Sequence, residues 1–338
     1  MGAGVGFFLI CLGGFMQGTF YVPMKYVSPW KWENIWLLYA FLALVALPVA
    51  LAVITVPALA DAMMFCSKRA LMEVFVFGTG WGIGCVLSGL GVDRLGLAIG
   101  VSVLIGITAA LGSLIPLVVN TPALVLEPKG LLVIASVATL LVGVILVAVA
   151  GKMRDRSRRE TGQSGQKGSF AMGLAICILS GIFSSMLNLA FSFSNGVRDA
   201  VLMTGASQGG AQSVVWMVAL GGGFIANFAY TFYLLHTKHT WSNFVMPKTW
   251  RFWIFGAGMA ALWYFGMVFY GRGAGFMGQM GTVIGWPLFM ASMIFFSSIW
   301  GFITGEWRNS SGAAKAMMVA GLAVLLVASG MLGATNSM

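Results

Sequence analysis

Apolar residues run along nearly the whole chain in stretches of about 20, the length a helix needs to cross a bilayer, and only short polar intervals break them. The pattern predicts spans at Gly4 to Met24, Ile35 to Pro57, Ala70 to Gly91, Leu95 to Val118, Gly130 to Ala150, Ser169 to Phe193, Ala211 to Leu235, Trp250 to Tyr270, Phe276 to Gly301 and Ala313 to Gly333. The longest interruptions, "GKMRDRSRRETGQSGQKG" from Gly151 to Gly168 and the stretch from His236 to Lys248, leave no room for a soluble domain. An all-α integral membrane fold of ten transmembrane helices follows, and function belongs inside the bundle.

Composition agrees: 59% of the 338 residues are apolar and 8% charged, against about 25% charged in a soluble domain. The start, "MGAGVGFFLICLGGF", has no basic n-region and runs on into a full span, so it does not read as a cleaved signal peptide. Gly6 stands where a myristoylation motif wants Ser or Thr. Cys11, Cys66, Cys85 and Cys177 lack metal-ligand spacing and read as packing residues.

The net charge of +10 lies in loops flanking apolar spans, which argues for membrane topology rather than nucleic-acid binding. If the central loop is cytoplasmic, that side holds fourteen of the Lys and Arg residues and the other side five. The positive-inside rule then places the central basic loop in the cytoplasm, against anionic lipid headgroups, and both termini in the periplasm.

The same loop, residues 151–168, divides the chain into 1–150 and 169–338, each with five predicted spans. An odd number of crossings per half inverts the second half, so homologous halves form an inverted repeat. A shift of 182 residues lays Trp81, Gly84, Val86, Gly89, Gly91 and Gly96 on Trp263, Gly266, Val268, Gly271, Gly273 and Gly278, and a weaker echo lays Gly13 and Phe15 on Gly181 and Phe183. Such repeats, with a substrate site where they meet, mark secondary transporters.

Glycines four apart (Gly78 and Gly82, Gly80 and Gly84, Gly96 and Gly100, Gly271 and Gly275, Gly281 and Gly285) read as close helix contacts. Polar side chains are costly in a span, so Gln17, Asn188, Asn227 and Gln279 are candidate sugar contacts, since an amide both donates and accepts. Tyr21, Trp81, Trp263, Tyr264 and Trp286 offer aromatic faces to a sugar's C–H surface. No carboxylate falls at mid-span; Glu33 and Glu306, near span ends, are the best proton-coupling candidates. Glu33, Asp93 and Glu306, with Lys25 and Arg94, share the predicted cytoplasmic side and suit ion pairs between the halves that close an inner gate. "HTKH" at His236 to His239 lacks further ligands for a metal, and neither a catalytic constellation nor an ATP-binding motif is present. The reading is a transporter without cofactor, driven by an ion gradient or by its substrate's own gradient.

Over nearly its whole length the chain resembles the L-rhamnose–proton symporters, a branch of the drug/metabolite transporter superfamily. The motifs are "FYVPMKYV...WKWENIW" with Pro48, "WGIG...GLGVDRLGLAIGVSVLIGIT", "GIFSSMLNLAFS", "GGGFIANFAY", "LWYFGMVFYGRG" and "GEWRN". The resemblance implies two inverted five-helix repeats in a bacterial inner membrane, importing a deoxyhexose with protons as coupling ion. Matching residues are Tyr21, Pro23, Lys25, Glu33, Trp36, Trp81, Gly82, Arg94, Gly96, Trp263, Tyr264, Gln279, Glu306 and Trp307. The family pattern carries an acidic residue two positions after Gln279, where this chain has Gly281.

Overall fold

A computed structural model describes residues 2–159 and 170–335. Its helices are α1 (Gly2–Thr19), α2 (Trp32–Phe41), α3 (Leu47–Thr55), α4 (Leu59–Phe65), α5 (Lys68–Leu95), α6 (Leu97–Asn120), α7 (Pro128–Arg159), α8 (Phe170–Ser192), α9 (Asn195–Met203), α10 (Gln208–Thr237), α11 (Trp250–Phe276), α12 (Gly281–Ile303) and α13 (Gly312–Thr335). A π-helical turn, Leu42–Ala46, joins α2 to α3 into one span. Ten stretches among the described residues are long and apolar enough to cross a membrane, each overlapping one predicted span. A chain that must satisfy its backbone polar groups internally crosses lipid as helices, and no strand occurs among the described residues.

Three features differ from expectation. Residues 151–159 continue α7 rather than forming a loop, while residues 160–168, with Glu160 and Lys167, lie outside the described residues, as does Ser169. The short helices α4 and α9 do not span; α9 packs Val197 and Val201 inward, an i, i+4 pair too brief for a hydropathy run to reveal. Gly96 is no packing glycine: it turns the chain between α5 and α6 at φ +84, and nothing lies within 4 Å of the place a Cβ would occupy. Gly278 turns the chain between α11 and α12 in the same way, at φ +68.

The main contacts come in pairs. Helix α5 packs on α8 and α10, and α11 packs on α1 and on the α2–α3 span. Helix α6 packs on α8, and α12 on α1; α7 meets α13, and α6 meets α12. Small residues bring backbones together here, because apolar side chains gain nothing by leaving lipid tails. A Cβ on Gly78 would stand 1.8 Å from Ala219 O, one on Gly82 2.4 Å from Gly223 O, one on Gly13 2.6 Å from Gly266 O and one on Gly6 2.8 Å from Gly273 O.

Five segments gather at one end of the bundle: Tyr21 to Lys31, the α5–α6 turn, the end of α7, the α10–α11 connection and the α12–α13 connection. These carry most of the basic residues, and we call this the basic end. The described termini lie at the opposite end, where Gly2 approaches Phe276 and Gly333 approaches Phe7.

The glycine contacts make a direct prediction. Gly78→Val forces α5 off α10 and lowers stability by about 1 to 3 kcal/mol. Gly258→Ala, in the interior of α11 with open space around it, raises stability by about 0.5 to 1 kcal/mol. Thermal unfolding midpoints in detergent, compared with the wild type, check both.

Candidate functional site

Trp81 and Trp263 sit halfway along α5 and α11 and stack face to face, with ring centroids 5.3 Å apart and planes 30° apart. From this pair a chain of rings leads toward the basic end. Tyr39 meets Trp263 edge-on at 6.2 Å, Trp36 lies 4.8 Å from Tyr39, and Trp36 stacks with Tyr21 at 6.0 Å and with Trp32 at 4.9 Å. Tyr21 is 51% exposed whereas Trp36, Tyr39, Trp81 and Trp263 are buried, so the aromatic wall opens beside Tyr21.

Amides lock this wall in place. Trp36 Nε1 donates to Asn227 Oδ1 at 3.0 Å, and Asn227 Nδ2 donates to Gly223 O at 2.9 Å. Gln17 is buried, and its Nε2 donates to Trp263 O at 3.1 Å, tying α1 to α11 behind the stacked indoles.

The remaining candidates lie elsewhere. Asn188 uses its whole amide: Nδ2 donates to Gly112 O at 2.7 Å and Thr282 O at 3.3 Å, and Oδ1 accepts from the Tyr270 hydroxyl. Trp286 packs beside Tyr270 and gives its Nε1–H to Thr108 O at 3.0 Å. Both bridge helices in a second, densely packed cluster. Tyr264 is fully buried, with a hydroxyl that has no partner among the described residues. Gln279 lies at the start of the ninth membrane-crossing stretch, as its place in the predicted span implies, exposed on the 3-10 turn Gly278–Met280 at the opposite end. A Cβ on Gly281 would stand 1.9 Å from Ala274 O, so the backbone of α11 excludes any side chain, acidic or not, from that position.

Ion pairs cluster at the basic end. Glu306 pairs with Lys25 and, at 3.1 Å, with Arg154 Nη1, whose guanidinium also lies over the Trp307 ring at 5.2 Å. Lys25 Nζ donates as well to Thr304 Oγ1 at 2.7 Å. Glu33, only 1% exposed, accepts from Lys238 Nζ and Thr240 Oγ1, each at 3.1 Å. Next to it, Asn34 donates to Thr240 O and accepts from Asn243 Nδ2, both at 2.9 Å. Glu33 and Glu306 thus pair across the chain rather than with their sequence neighbours Lys31 and Arg308. Asp93 is exposed and Arg94 half-buried, and neither makes an ion pair among the described residues. Sequence reasoning missed Arg154, Lys238 and Tyr39 as site residues; their partners lie far away in sequence, and no local spacing marks them.

Ten stretches long and apolar enough to cross a membrane, an aromatic wall midway along two of their helices and ion pairs gathered at one end define a multi-pass membrane protein, and comparison with known proteins makes it a transporter rather than an enzyme. The family model described as L-rhamnose-proton symport protein (RhaT) matches residues 2–337, and the chain belongs to that family. It is 26% identical over 336 residues, 97% of each chain, to the L-rhamnose-proton symporter of Escherichia coli O17:K52:H18 (strain UMN026 / ExPEC). It is 27% identical over 329 residues, 95% of each chain, to the L-rhamnose-proton symporters of Yersinia pestis (strain Pestoides F) and Yersinia pseudotuberculosis serotype O:1b (strain IP 31758).

Losing one partner of a buried pair strands the other charge. Lys238→Met leaves Glu33 with Thr240 alone and is expected to cost about 2 kcal/mol, moderated by the half-exposed lysine; adding Glu33→Gln recovers part of this. Arg69→Ala, which breaks the exposed Arg69–Glu73 pair, leaves the unfolding midpoint unchanged. Thermal unfolding of the three variants checks the set.

Proposed function

We infer that this chain is an inner-membrane symporter that imports L-rhamnose with protons by alternating access. The observation that carries the reading is the family match over residues 2–337. The aromatic wall supports it, because flat apolar faces with a few fixed polar groups are what a deoxyhexose, with its methyl group and C–H surface, requires.

The finer architecture we propose is that of the drug/metabolite transporters: two inverted repeats, residues 1–150 and 169–338, joined by 151–168. The paired contacts support it, since α5 on α8 answers α11 on α1, and α6 on α8 answers α12 on α1. So do the turns at Gly96 and Gly278, 182 positions apart, and the stacking of Trp81 on its counterpart Trp263. Residues related by an approximate two-fold axis meet each other where that axis passes. The basic end is then cytoplasmic, and the termini are periplasmic.

Within this scheme Gln17, Tyr21, Trp81, Trp263 and Tyr264 contact the sugar, Asn188 and Trp286 brace the opposite half of the bundle, and Gln279 lies at the periplasmic mouth. Lys25–Glu306, Arg154–Glu306 and Glu33–Lys238 form the inner gate, and each pair ties an earlier segment to a later one. Asp93 and Arg94 flank it. Glu33 is the buried carboxylate among the described residues, and with Gly281 unable to carry a side chain it is the group we assign to proton coupling.

Uptake of radiolabelled L-rhamnose into proteoliposomes, with and without an inward proton gradient, tests the reading. Gradient-driven accumulation is expected. Glu33→Gln should reduce it to downhill equilibration, and Trp263→Ala should raise the half-saturating concentration about tenfold, the equivalent of about 1.4 kcal/mol. Equilibration alone in the wild type would make the protein a facilitator, and no rhamnose flux would sink the substrate assignment.

A further inference from the structure

Gln212 makes no side-chain hydrogen bond among the described residues, and from the middle of α11 toward the opposite end two polar atoms, Trp216 Nε1 and Tyr264 Oη, are buried with no hydrogen-bond partner among them. Such groups are rare in folded proteins, because each costs about 1 to 3 kcal/mol when left unmet.

Their placement is shared. Gln212 and Trp216 are one turn apart on α10, and both face glycines of α11: a Cβ on Gly275 would stand 2.9 Å from Gln212 Nε2, and one on Gly271 3.0 Å from Trp216 Nε1. At 100° per residue, Tyr264, Gly271 and Gly275 lie within about 20° of one direction on α11. Arg272 closes the row at the surface, with its guanidinium 3.4 Å from a Cβ built on Gly209 and without an ion pair among the described residues. Helices α10 and α11 touch only lightly, whereas α10 packs closely on α5, so this seam is the easier one to part.

We propose that Gln212, Trp216, Tyr264 and Arg272 form an outer recognition track for a neutral monosaccharide, met when α10 and α11 separate at the opposite end. The indole and guanidinium only donate, while the phenol and amide donate and accept, which suits hydroxyls that each accept as well as donate. Two glycines leave the donors uncapped, and the only charge stands at the rim, where it does not penalise an uncharged polyol. The proposal rests on the sugar-transport reading and extends it from Tyr264, beside the Trp81–Trp263 wall, to further contacts nearer the opposite end.

Trp216→Phe keeps an aromatic ring against Phe191 but removes the indole N–H together with two ring carbons; Tyr264→Phe deletes one hydroxyl. Uptake is measured in proteoliposomes of defined orientation, with L-rhamnose offered from either end, alongside thermal unfolding of each variant. Trp216→Phe should raise half-saturation about 10- to 100-fold from the opposite end and less than threefold from the basic end, whereas Tyr264→Phe, which also removes a group assigned to the central sugar contacts, should raise it from both ends with no loss of unfolding midpoint. For Trp216→Phe, unchanged half-saturation from both ends, or an equal rise from both, would overturn the track and assign these groups to packing. If the wild type carries another monosaccharide instead, the same ratios are taken with that sugar. A wild type that carries no sugar removes the transport reading and the track together, whereas sugar transport indifferent to both substitutions removes the track alone.

Discussion

Lipid tails are as apolar as leucine, so no hydrophobic force holds one span to the next, and this bundle depends on backbones touching where side chains are missing. The approaches of Gly78 to Ala219, Gly82 to Gly223, Gly6 to Gly273 and Gly13 to Gly266 set the positions of α5 and α11, the two helices that carry the central tryptophans. Their indoles can stack at mid-membrane because these contacts hold both helices close to the core.

Polar groups are treated differently at different places. The Asn188 amide is saturated by three helices, and Trp286 is anchored on one of them, α6, which stiffens that region. At the basic end the polar contacts are ion pairs and loop hydrogen bonds that can be exchanged for water as the end opens. Lys25, Arg154 and Lys238 hold carboxylates that lie far away in sequence, so the proposed opening of that end would break them together. In the seam between α10 and α11 the donors are unmet altogether. A transporter by alternating access needs this contrast: rigid bodies, a breakable closure, and polar groups whose partner is the cargo.

Proton coupling is constrained in the same way. Gly281 cannot take a carboxylate because Ala274 O occupies the space, which shifts attention to Glu33 at the first turn of α2. The positive end of a helix dipole, Lys238 and Thr240 together make a buried carboxylate tolerable there.

Ten spans, their approximate limits, the glycine-mediated closeness of α5 to its neighbours and the family resemblance were legible in the sequence, because bilayer thickness imposes a run length and close packing imposes small residues at fixed spacing. The meeting of Trp81 with Trp263 was foreshadowed by their shared register, though not their contact. Other features were not legible. Glu33 and Glu306 lie beside Lys31 and Arg308 in sequence yet pair with Lys238, Lys25 and Arg154, and the exposure of Gln279 follows from the turn that Gly278 makes just before it. Asn188 and Gln212 are both amides in or near a span, and only the neighbours brought by folding make one saturated and the other free. Hydropathy and spacing are properties of neighbouring residues, so the sequence by itself determined the spans and the small-residue faces. Which charge meets which, and which polar group is left for a substrate, depends on pairs some 75 to 280 residues apart, and only the tertiary structure decided it.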